Sequence, residues 1–330
     1  DDAVEVLESA LTKDPQNTLL HLNIARAHRY SGRLEETVAT LEHAVTIDPD
    51  FVEAHFELGN SLIEIGEFTN AADSYKKAIA LRPNFASAYS NMGNCHRQAG
   101  KPDEALSNYL QAVAIEPGLT QAKANLGELL RHSKFAASCS QSYEVIADLL
   151  TAGHIARPSE VAISIISLLR QDPAFDQVLV YSNSLNALSS VIDLIESLEP
   201  LQVLHCLMRL SPIPDLEIEN IMINARKTLL RNLAVLEESA SLVRFFSTLA
   251  LHCLVNEYVF FESEEEKTRI QELEVKISRA LVIGNQPIML DLLSLCTYRP
   301  LHKYNWSNQI TGLAQFPEIQ NRLVDQPQIE

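Results

Sequence analysis

The sequence predicts an all-α protein, in which a solenoid of paired helices is followed by a compact helical domain. The first observation is a 34-residue period that runs through the opening 130 residues. The second is the scarcity of glycine. Only 10 glycines occur in 330 residues, and the span between Gly153 and Gly284 has none for tight strand turns. The third is the capping and helix-breaking residues that punctuate the second half.

The period is carried by six sets of residues, each spaced 34 positions apart. Agreement in so many sets is the signature of a repeat architecture. The sets are Pro15, Pro49, Pro83 and Pro117; Ala10, Ala44, Ala78 and Ala112; Gly32, Gly66 and Gly100; Gly59, Gly93 and Gly127; Leu7, Leu41, Tyr75 and Tyr109; and Ile24, Leu58, Met92 and Leu126.

Each set has a physical role in a helix–turn–helix unit. The prolines cannot continue a helix, so they close each unit. The glycines of the Gly32 set lie where a first helix ends and supply the left-handed C-cap conformation. The small residues of the Gly59 and Ala10 sets allow helices to approach closely. The period therefore predicts stacked pairs of helices.

Three whole units are expected, with a partial unit on either side. Lys134 stands where the next glycine is due, and the period is absent beyond residue 137. We therefore expect a repeat array over 1–135 and an all-helical domain over 136–330. The predicted units are 1–17 (partial), 18–51, 52–85, 86–119 and 120–135 (partial).

In these residues the array resembles tetratricopeptide repeats. The resemblance implies a right-handed solenoid whose first helices line a concave groove, and it implies a protein or peptide as the partner. Two features depart from the family pattern. The aromatic expected early in the first helix is replaced in three units by His21, His55 and Lys123, and Thr37 replaces a small alanine. Because residues 1–17 match only a second helix, further repeats are expected before Asp1.

The groove is expected to bind an extended polypeptide through amide and guanidinium groups. Asparagine offers both donors and an acceptor to a peptide main chain, and arginine can hold a carboxylate with two hydrogen bonds. The alternative is that these residues only satisfy local backbone or are solvated. The candidate groove residues are Asn23, Arg26, Arg29, Asn60, Asn91, Asn94, Arg97, Asn125 and Arg131.

Some members of the family grip a terminal carboxylate with two asparagines and several basic residues. Asn60 and Asn91 resemble those asparagines. Phe56, Gln121 and Asn125, however, occupy sites that would need basic residues. A clamp for chaperone tails is therefore not expected.

The second half is predicted to be a compact domain of six or seven helices over 138–306, docked on the end of the array. Its helix signals are caps, prolines and one-sided apolar spacing. The predicted elements are a helix capped by Ser159 that runs to Leu169, a long helical stretch over 175–198, a helix with a capping box of Ser263 and Glu266, and a last substantial helix opened by Pro287.

No catalytic signature is found, so we expect no enzyme activity, no metal and no cofactor in this chain. The serine-elbow, P-loop, dinucleotide-binding and zinc-protease motifs are all missing from the sequence. His205-Cys206 and His252-Cys253 could suggest a metal site. Neighbouring residues on a helix point about 100° apart, however, and both pairs lie in apolar runs, so structural burial is the expected role.

The charge excludes several partners. The formal net charge is −17, which repels phosphate backbones and anionic membranes, so we expect no nucleic acid and no membrane partner. The most apolar stretch, 245–261, is shorter than the roughly 20 residues of a membrane helix. Five scattered cysteines without a CxxC pair indicate reduced thiols and a cytoplasmic location.

A second resemblance concerns two short segments of the helical domain. Residues 251–260, LHCLVNEYVF, and 298–302, YRPLH, resemble the helical region that precedes an S-adenosylmethionine-dependent methyltransferase domain in some bacterial repeat proteins. The resemblance implies a substrate-recruiting role, with the catalytic domain beyond residue 330. This is the alternative function. A third possibility is self-association through the helix of residues 1–17, left exposed by truncation.

Overall fold

The computed structural model describes residues 2–136, 143–153, 155–182, 185, 187–258 and 260–311. Throughout these ranges the regular elements are helices, and no strand is found among them. Two compact units form, Asp1–Phe135 and Ala136–Glu330. The all-α prediction is therefore confirmed.

The first unit is built from eight helices that follow the period. After α1, first and second helices alternate along the chain, so α2, α4, α6 and α8 are first helices and α3, α5 and α7 are second helices. The bounds are α1 Asp2–Leu11, α2 Thr18–Tyr30, α3 Leu34–Ile47, α4 Val52–Glu64, α5 Phe68–Leu81, α6 Ala86–Gln98, α7 Pro102–Ile115 and α8 Thr120–His132.

Glycine ends three of the first helices as the sequence predicts. Gly32, Gly66 and Gly100 have φ angles of 74°, 84° and 71°, in the left-handed region. At each of these sites the amide of the next residue donates back to a carbonyl in the last turn, as Lys101 N does to His96 O at 2.9 Å. This pattern is the Schellman motif, which satisfies helix-terminal carbonyls and turns the chain into the second helix.

Close packing of a tyrosine ring on a glycine joins the two helices of a repeat. A Cβ added to Gly59 would lie 2.7 Å from Cε1 of Tyr75, and one added to Gly93 would lie 2.6 Å from Cε1 of Tyr109. Both rings are fully buried. The glycines are therefore required for close approach of the second helix, and not for an unusual φ.

Histidine takes the place of an aromatic residue in two first helices. His21 and His55 are buried, and each uses Nε2 to contact the carbonyl of the proline that closed the preceding unit. The distances are 3.1 Å to Pro15 O and 2.8 Å to Pro49 O. Because a neutral imidazole nitrogen can donate to a carbonyl, this contact ties one unit to the next.

The second unit contains nine α-helices in the part that the structure describes, rather than six or seven. Apolar residues of every one of these helices lie in its core. The bounds are α9 Tyr143–Ala152, α10 Pro158–Leu169, α11 Pro173–Ser182, α12 Leu188–Leu198, α13 Gln202–Leu210, α14 Leu216–Asn232, α15 Ala240–Val255, α16 Glu264–Val282 and α17 Met289–Cys296.

Two helix boundaries in this unit differ from the prediction. Ser159 is not a cap, because α10 begins at Pro158, a residue that favours the first helical position. The stretch predicted over 175–198 is two helices, α11 and α12. The sequence between them is rich in Ser and Asn, which favour turns over helix interiors. The predicted capping box of Ser263 and Glu266 is present at the start of α16.

Four of the five cysteines lie in the described part of the chain, and all four are free thiols. Burial raises the pKa of Cys95 to about 11 and that of Cys253 to about 12. Cys139 lies outside the described residues. Within the described ranges, no helix combines the length and the apolar character needed to cross a membrane.

Replacing Gly93 by Ala is expected to lower the free energy of unfolding by about 1–3 kcal/mol, the usual cost of overpacking. The added methyl group would collide with the Tyr109 ring. This loss should outweigh the gain in helix propensity of about 1 kcal/mol. Urea denaturation followed by circular dichroism measures the change.

Gly118→Ala is the matched control, because a Cβ there meets nothing within 4 Å. A second variant, Gly93→Ala with Tyr109→Leu, copies the Ala25 and Leu41 pair of the first unit. It should lose less stability than the two single changes added together. Equal losses at Gly93 and Gly118 would contradict the packing argument.

Candidate binding groove

The candidate groove lies on the side of the array where the first helices meet. Helix α2 contacts α4, α4 contacts α6, and α6 contacts α8. Stacked units whose first helices approach one another form a ribbon that is concave on that side. Side chains at the period of 34 on these helices therefore form rows across the groove.

The five predicted asparagines of the first helices differ in burial. Asn60, Asn91, Asn94 and Asn125 are half-buried, and Asn23 is exposed. Neighbouring side chains therefore cover part of the first four amides, while Asn23 is open to solvent.

Two tyrosine hydroxyls organise the asparagines into repeated triads. The Oδ1 atom of Asn60 accepts a hydrogen bond from Tyr75 Oη at 2.6 Å and another from Asn91 Nδ2 at 2.9 Å. One repeat later, Asn94 Oδ1 accepts from Tyr109 Oη at 2.7 Å and from Asn125 Nδ2 at 3.0 Å. Each triad thus joins a second helix to two successive first helices.

Burial keeps these hydroxyls in their donor form. It is the largest effect on Tyr75 and Tyr109 and raises the pKa of both. The sequence analysis identified the two tyrosines only as members of a periodic set and missed this polar role. The available signal was the fixed spacing of 15 residues between each asparagine and its tyrosine.

In the first two repeats, carboxylates of the protein itself neutralise the arginines. Arg26 Nη2 lies 3.0 Å from Glu57 Oε1, and Arg29 Nη1 lies 3.1 Å from Glu57 Oε2. Arg29 also donates to Glu64, and this hydrogen bond is the main cause that raises the pKa of Arg29. Asn60 Nδ2 donates to Glu57 as well, at 3.3 Å. This end of the groove is internally satisfied.

The two remaining arginines differ from each other. Arg131 pairs with Glu128 one turn away on the same helix. Arg97 is exposed and forms no ion pair with any carboxylate among the described residues. Its guanidinium lies close enough to Tyr109 to lower the pKa of that hydroxyl, against the larger effect of burial. Arg97 therefore keeps its positive charge available to the groove.

A pocket of about 260 Å³ opens beside Arg97. It combines one apolar wall with amide and guanidinium groups. Its lining comes from four successive or facing helices, α4, α5, α6 and α8. The lining residues are Ile63, Phe68, Asn94, Arg97, Gln98 and Asn125.

In the second unit, the two segments noted in the sequence meet at a buried arginine. The Arg226 guanidinium carbon lies 4.1 Å from the centroid of the Tyr298 ring and 5.3 Å from that of Phe260. Glu266 Oε1 lies 3.8 Å from Arg226 Nη2 and accepts from Tyr298 Oη at 2.9 Å. Both Arg226 and Glu266 are almost fully buried, so this cluster is part of the core.

The two histidine–cysteine pairs do not assemble a metal site. His252 and Cys253 are buried, and His252 Nε2 lies 3.1 Å from Glu219 Oε1. His205 Nδ1 contacts the Thr248 hydroxyl at 3.2 Å. Among the residues that the structure describes, no group of three His, Cys, Asp or Glu side chains could hold a metal ion.

Comparison with protein families identifies the first unit. Three tetratricopeptide-repeat models match, over residues 1–55, 59–100 and 86–119. The first unit therefore contains tetratricopeptide repeats, and repeats of this family serve as non-catalytic interaction modules. The last match ends at residue 119, inside the first unit, which extends to Phe135.

Solved structures give partial likenesses. A crystal structure of MamA is 27% identical, covers 38% of this chain and 74% of its own, and has a TM-score of 0.37. The first repeat domain of Spaghetti (RPAP3), bound to an HSP90 peptide, is 21% identical. The match covers 35% of this chain and 92% of that domain, with a TM-score of 0.34. A tetratricopeptide repeat protein from Parabacteroides merdae is 13% identical. The match covers 90% of this chain and 91% of that protein, with a TM-score of 0.38. No curated protein matches the chain.

Replacing Glu266 by Gln is expected to cost about 3 kcal/mol of stability at neutral pH, because it leaves Arg226 buried without a carboxylate. Burial alone would raise the pKa of Glu266, but hydrogen bonds from Ser263 and Tyr298 and the Arg226 charge lower it below 4.5. A lowered pKa stabilises the fold above about pH 4.5, and this contribution is lost as the pH falls further. Urea titrations across this range measure it.

The variant should therefore show a weaker fall in stability below about pH 4.5 than the natural chain. Glu265→Gln is the control on the same helix turn. Its side chain pairs with Arg231 and Arg269 at the surface, where ion pairs contribute little. An equal response of both variants to acid would contradict a special role for Glu266.

Proposed function

We propose that the array binds an extended polypeptide along the groove formed by α2, α4, α6 and α8, and that this chain performs no catalysis. The observation that supports this most directly is the row of half-buried asparagines at the repeat period. Their amides are fixed by the Tyr75 and Tyr109 triads, so a ligand would meet groups that are already oriented. Preorganised donors lose little conformational entropy on binding.

The chemistry suits a peptide main chain rather than one particular side chain. An extended peptide presents alternating N–H and C=O groups, and side-chain amides can pair with both kinds. Asn94 and Asn125 belong to one triad, and Asn23 lies free at the other end of the array. Binding along this row would be tolerant of sequence, with selectivity added where a charged side chain is available.

Asn94→Asp is expected to weaken peptide binding up to about tenfold, since a neutral amide hydrogen bond contributes about 0.5–1.5 kcal/mol. Aspartate keeps the acceptor that Tyr109 and Asn125 use, but it replaces the Nδ2 donor with an oxygen. Binding is measured by fluorescence anisotropy on peptides selected from a randomised, end-blocked peptide pool.

Asn84→Asp is the control, because it adds the same charge at an exposed residue between α5 and α6. It should bind as the natural chain does. Circular dichroism must show both variants folded. If Asn94→Asp binds every selected peptide with unchanged affinity, the groove is not the binding surface.

We propose as the alternative that this chain is the substrate-recruiting part of an S-adenosylmethionine-dependent protein methyltransferase. The observation that favours it is the convergence of its two resembling segments, through Phe260 and Tyr298, on Arg226. The two segments are therefore packed against the same buried arginine. The test is to express the natural reading frame past residue 330 and assay methyl transfer from labelled S-adenosylmethionine to peptides that bind the array. Transfer without dependence on the array would contradict a recruiting role.

A further inference from the structure

We infer that the pocket around Arg97 binds the side-chain carboxylate of an aspartate or glutamate within the bound polypeptide. This inference rests on the proposed function and specifies its ligand. It names one point in the groove where sequence selectivity arises.

Two polar groups of the pocket, the Asn94 Nδ2 amide and the Arg97 guanidinium, can only donate, whereas the exposed Gln98 amide can both donate and accept. Asn94 Oδ1 already accepts two hydrogen bonds, from Tyr109 and from Asn125. The Oδ1 atom of Asn125 accepts from Gln121 at 2.9 Å. Among the described residues, nothing accepts from Asn94 Nδ2, and the Arg97 guanidinium has only donors. A ligand atom that pairs with Asn94 Nδ2 or with Arg97 must therefore be an acceptor.

The charge on the first helices favours an anion here, although the chain as a whole is strongly acidic. Helices α2, α4, α6 and α8 together carry five basic and four acidic side chains. Helices α1, α3, α5 and α7 carry nine acidic and two basic side chains. The groove face is thus close to neutral while the opposite helices repel anions. Within it, Arg97 is a cation that no carboxylate of the described chain neutralises.

The three other groove arginines are not equivalent sites. Arg26 and Arg29 share Glu57, and Arg131 is paired with Glu128. A ligand carboxylate would have to displace an existing partner at each of them. At Arg97 it would gain a charge-assisted hydrogen bond without breaking an ion pair, which makes this the favourable position.

The apolar wall of the pocket defines the neighbouring ligand residue. Ile63 and Phe68 are half-buried and face the same cavity as Arg97. In an extended peptide, side chains alternate between opposite faces, so residues two apart lie on one face. We therefore expect an aliphatic or aromatic residue two positions from the acidic one.

A side-chain carboxylate is favoured over a chain terminus. Capture of a terminal carboxylate in this family needs several basic residues, and Phe56, Gln121 and Asn125 stand at those positions. The pocket offers one guanidinium, which suits one carboxylate. Its lining comes from several helices of the array, α4, α5, α6 and α8, so we expect the bound peptide to continue past it.

The test is selection from a pool of short randomised peptides with acetylated N-termini and amidated C-termini, followed by anisotropy with the full chain. Selected peptides should be enriched in Asp or Glu at one position. Changing that residue to Gln or Asn should weaken binding about tenfold, the usual effect of losing a charge-assisted hydrogen bond. Arg97→Gln should weaken binding of the acidic peptide equally and leave the amide peptide unaffected, so that the two losses do not add.

Two further variants sharpen the result. Arg97→Glu should select peptides with Lys at the same position. Lys77→Gln removes one positive charge from an exposed site on α5 and is the control for net charge. It should bind the acidic peptide as the natural chain does. Urea midpoints must show that the Arg97 variants remain folded.

The outcomes separate this inference from the proposed function. Selection of peptides without acidic enrichment, or equal loss for the acidic and amide peptides in Arg97→Gln, overturns the inference and leaves the groove standing. Preference for free-acid peptides that lack Asp and Glu overturns it in favour of a terminal carboxylate. Failure to select any peptide, with Asn94→Asp equally inactive, overturns both.

Discussion

The structure of the array depends on how closely a tyrosine ring can approach a helix backbone. At Gly59 and Gly93 the missing side chain leaves room for one edge of the ring. The ring can then extend far enough for its hydroxyl to reach the asparagine on the next position, on the groove side. The close approach of the ring to glycine in the core therefore fixes the position of the asparagine amide at the surface. Because the residues recur every 34 positions, the amides recur as well.

This coupling explains why the ends of the groove differ. The first whole unit has Ala25 and Leu41 where later units have glycine and tyrosine, so it has no hydroxyl to orient an amide. Arg26 and Glu57 join the first helices there by an ion pair instead. The later junctions use neutral amide chains. At the α2 end of the groove, the arginines are therefore neutralised by glutamates of the chain. At the α8 end, amide and guanidinium donors remain available.

Much of the fold could be predicted from the sequence, because the signals were local. The prolines and the Gly32, Gly66 and Gly100 turns each constrain a few neighbouring dihedrals, and a fixed period repeats them. The capping box of Ser263 was equally local. The break between α11 and α12 was missed, because the apolar spacing continued across it and was given more weight than the Ser and Asn residues that favour a turn there.

The hydrogen bonding of the candidate groove could not be predicted from the sequence. Helical periodicity predicts that the asparagines share one face of the array. It could not show that Tyr109 consumes the acceptor of Asn94, because that contact depends on the distance between two helices. Nor could it show that three of the arginines pair with carboxylates, whereas Arg97 has no carboxylate partner among the described residues. Each pairing joins residues about one repeat or one turn apart, and their rotamers are set in three dimensions.

The change from an ionic to a neutral junction has a consequence for how the ribbon comes apart. In stacked repeats, stability is a sum of terms for each unit and each boundary between neighbours. Salt weakens the Arg26–Glu57 boundary, because it screens the ion pair, and it has little effect on the neutral Asn94–Asn125 boundary. When ionic strength rises, the array therefore opens first at the Arg26–Glu57 boundary, while the segment that carries the Arg97 pocket stays assembled.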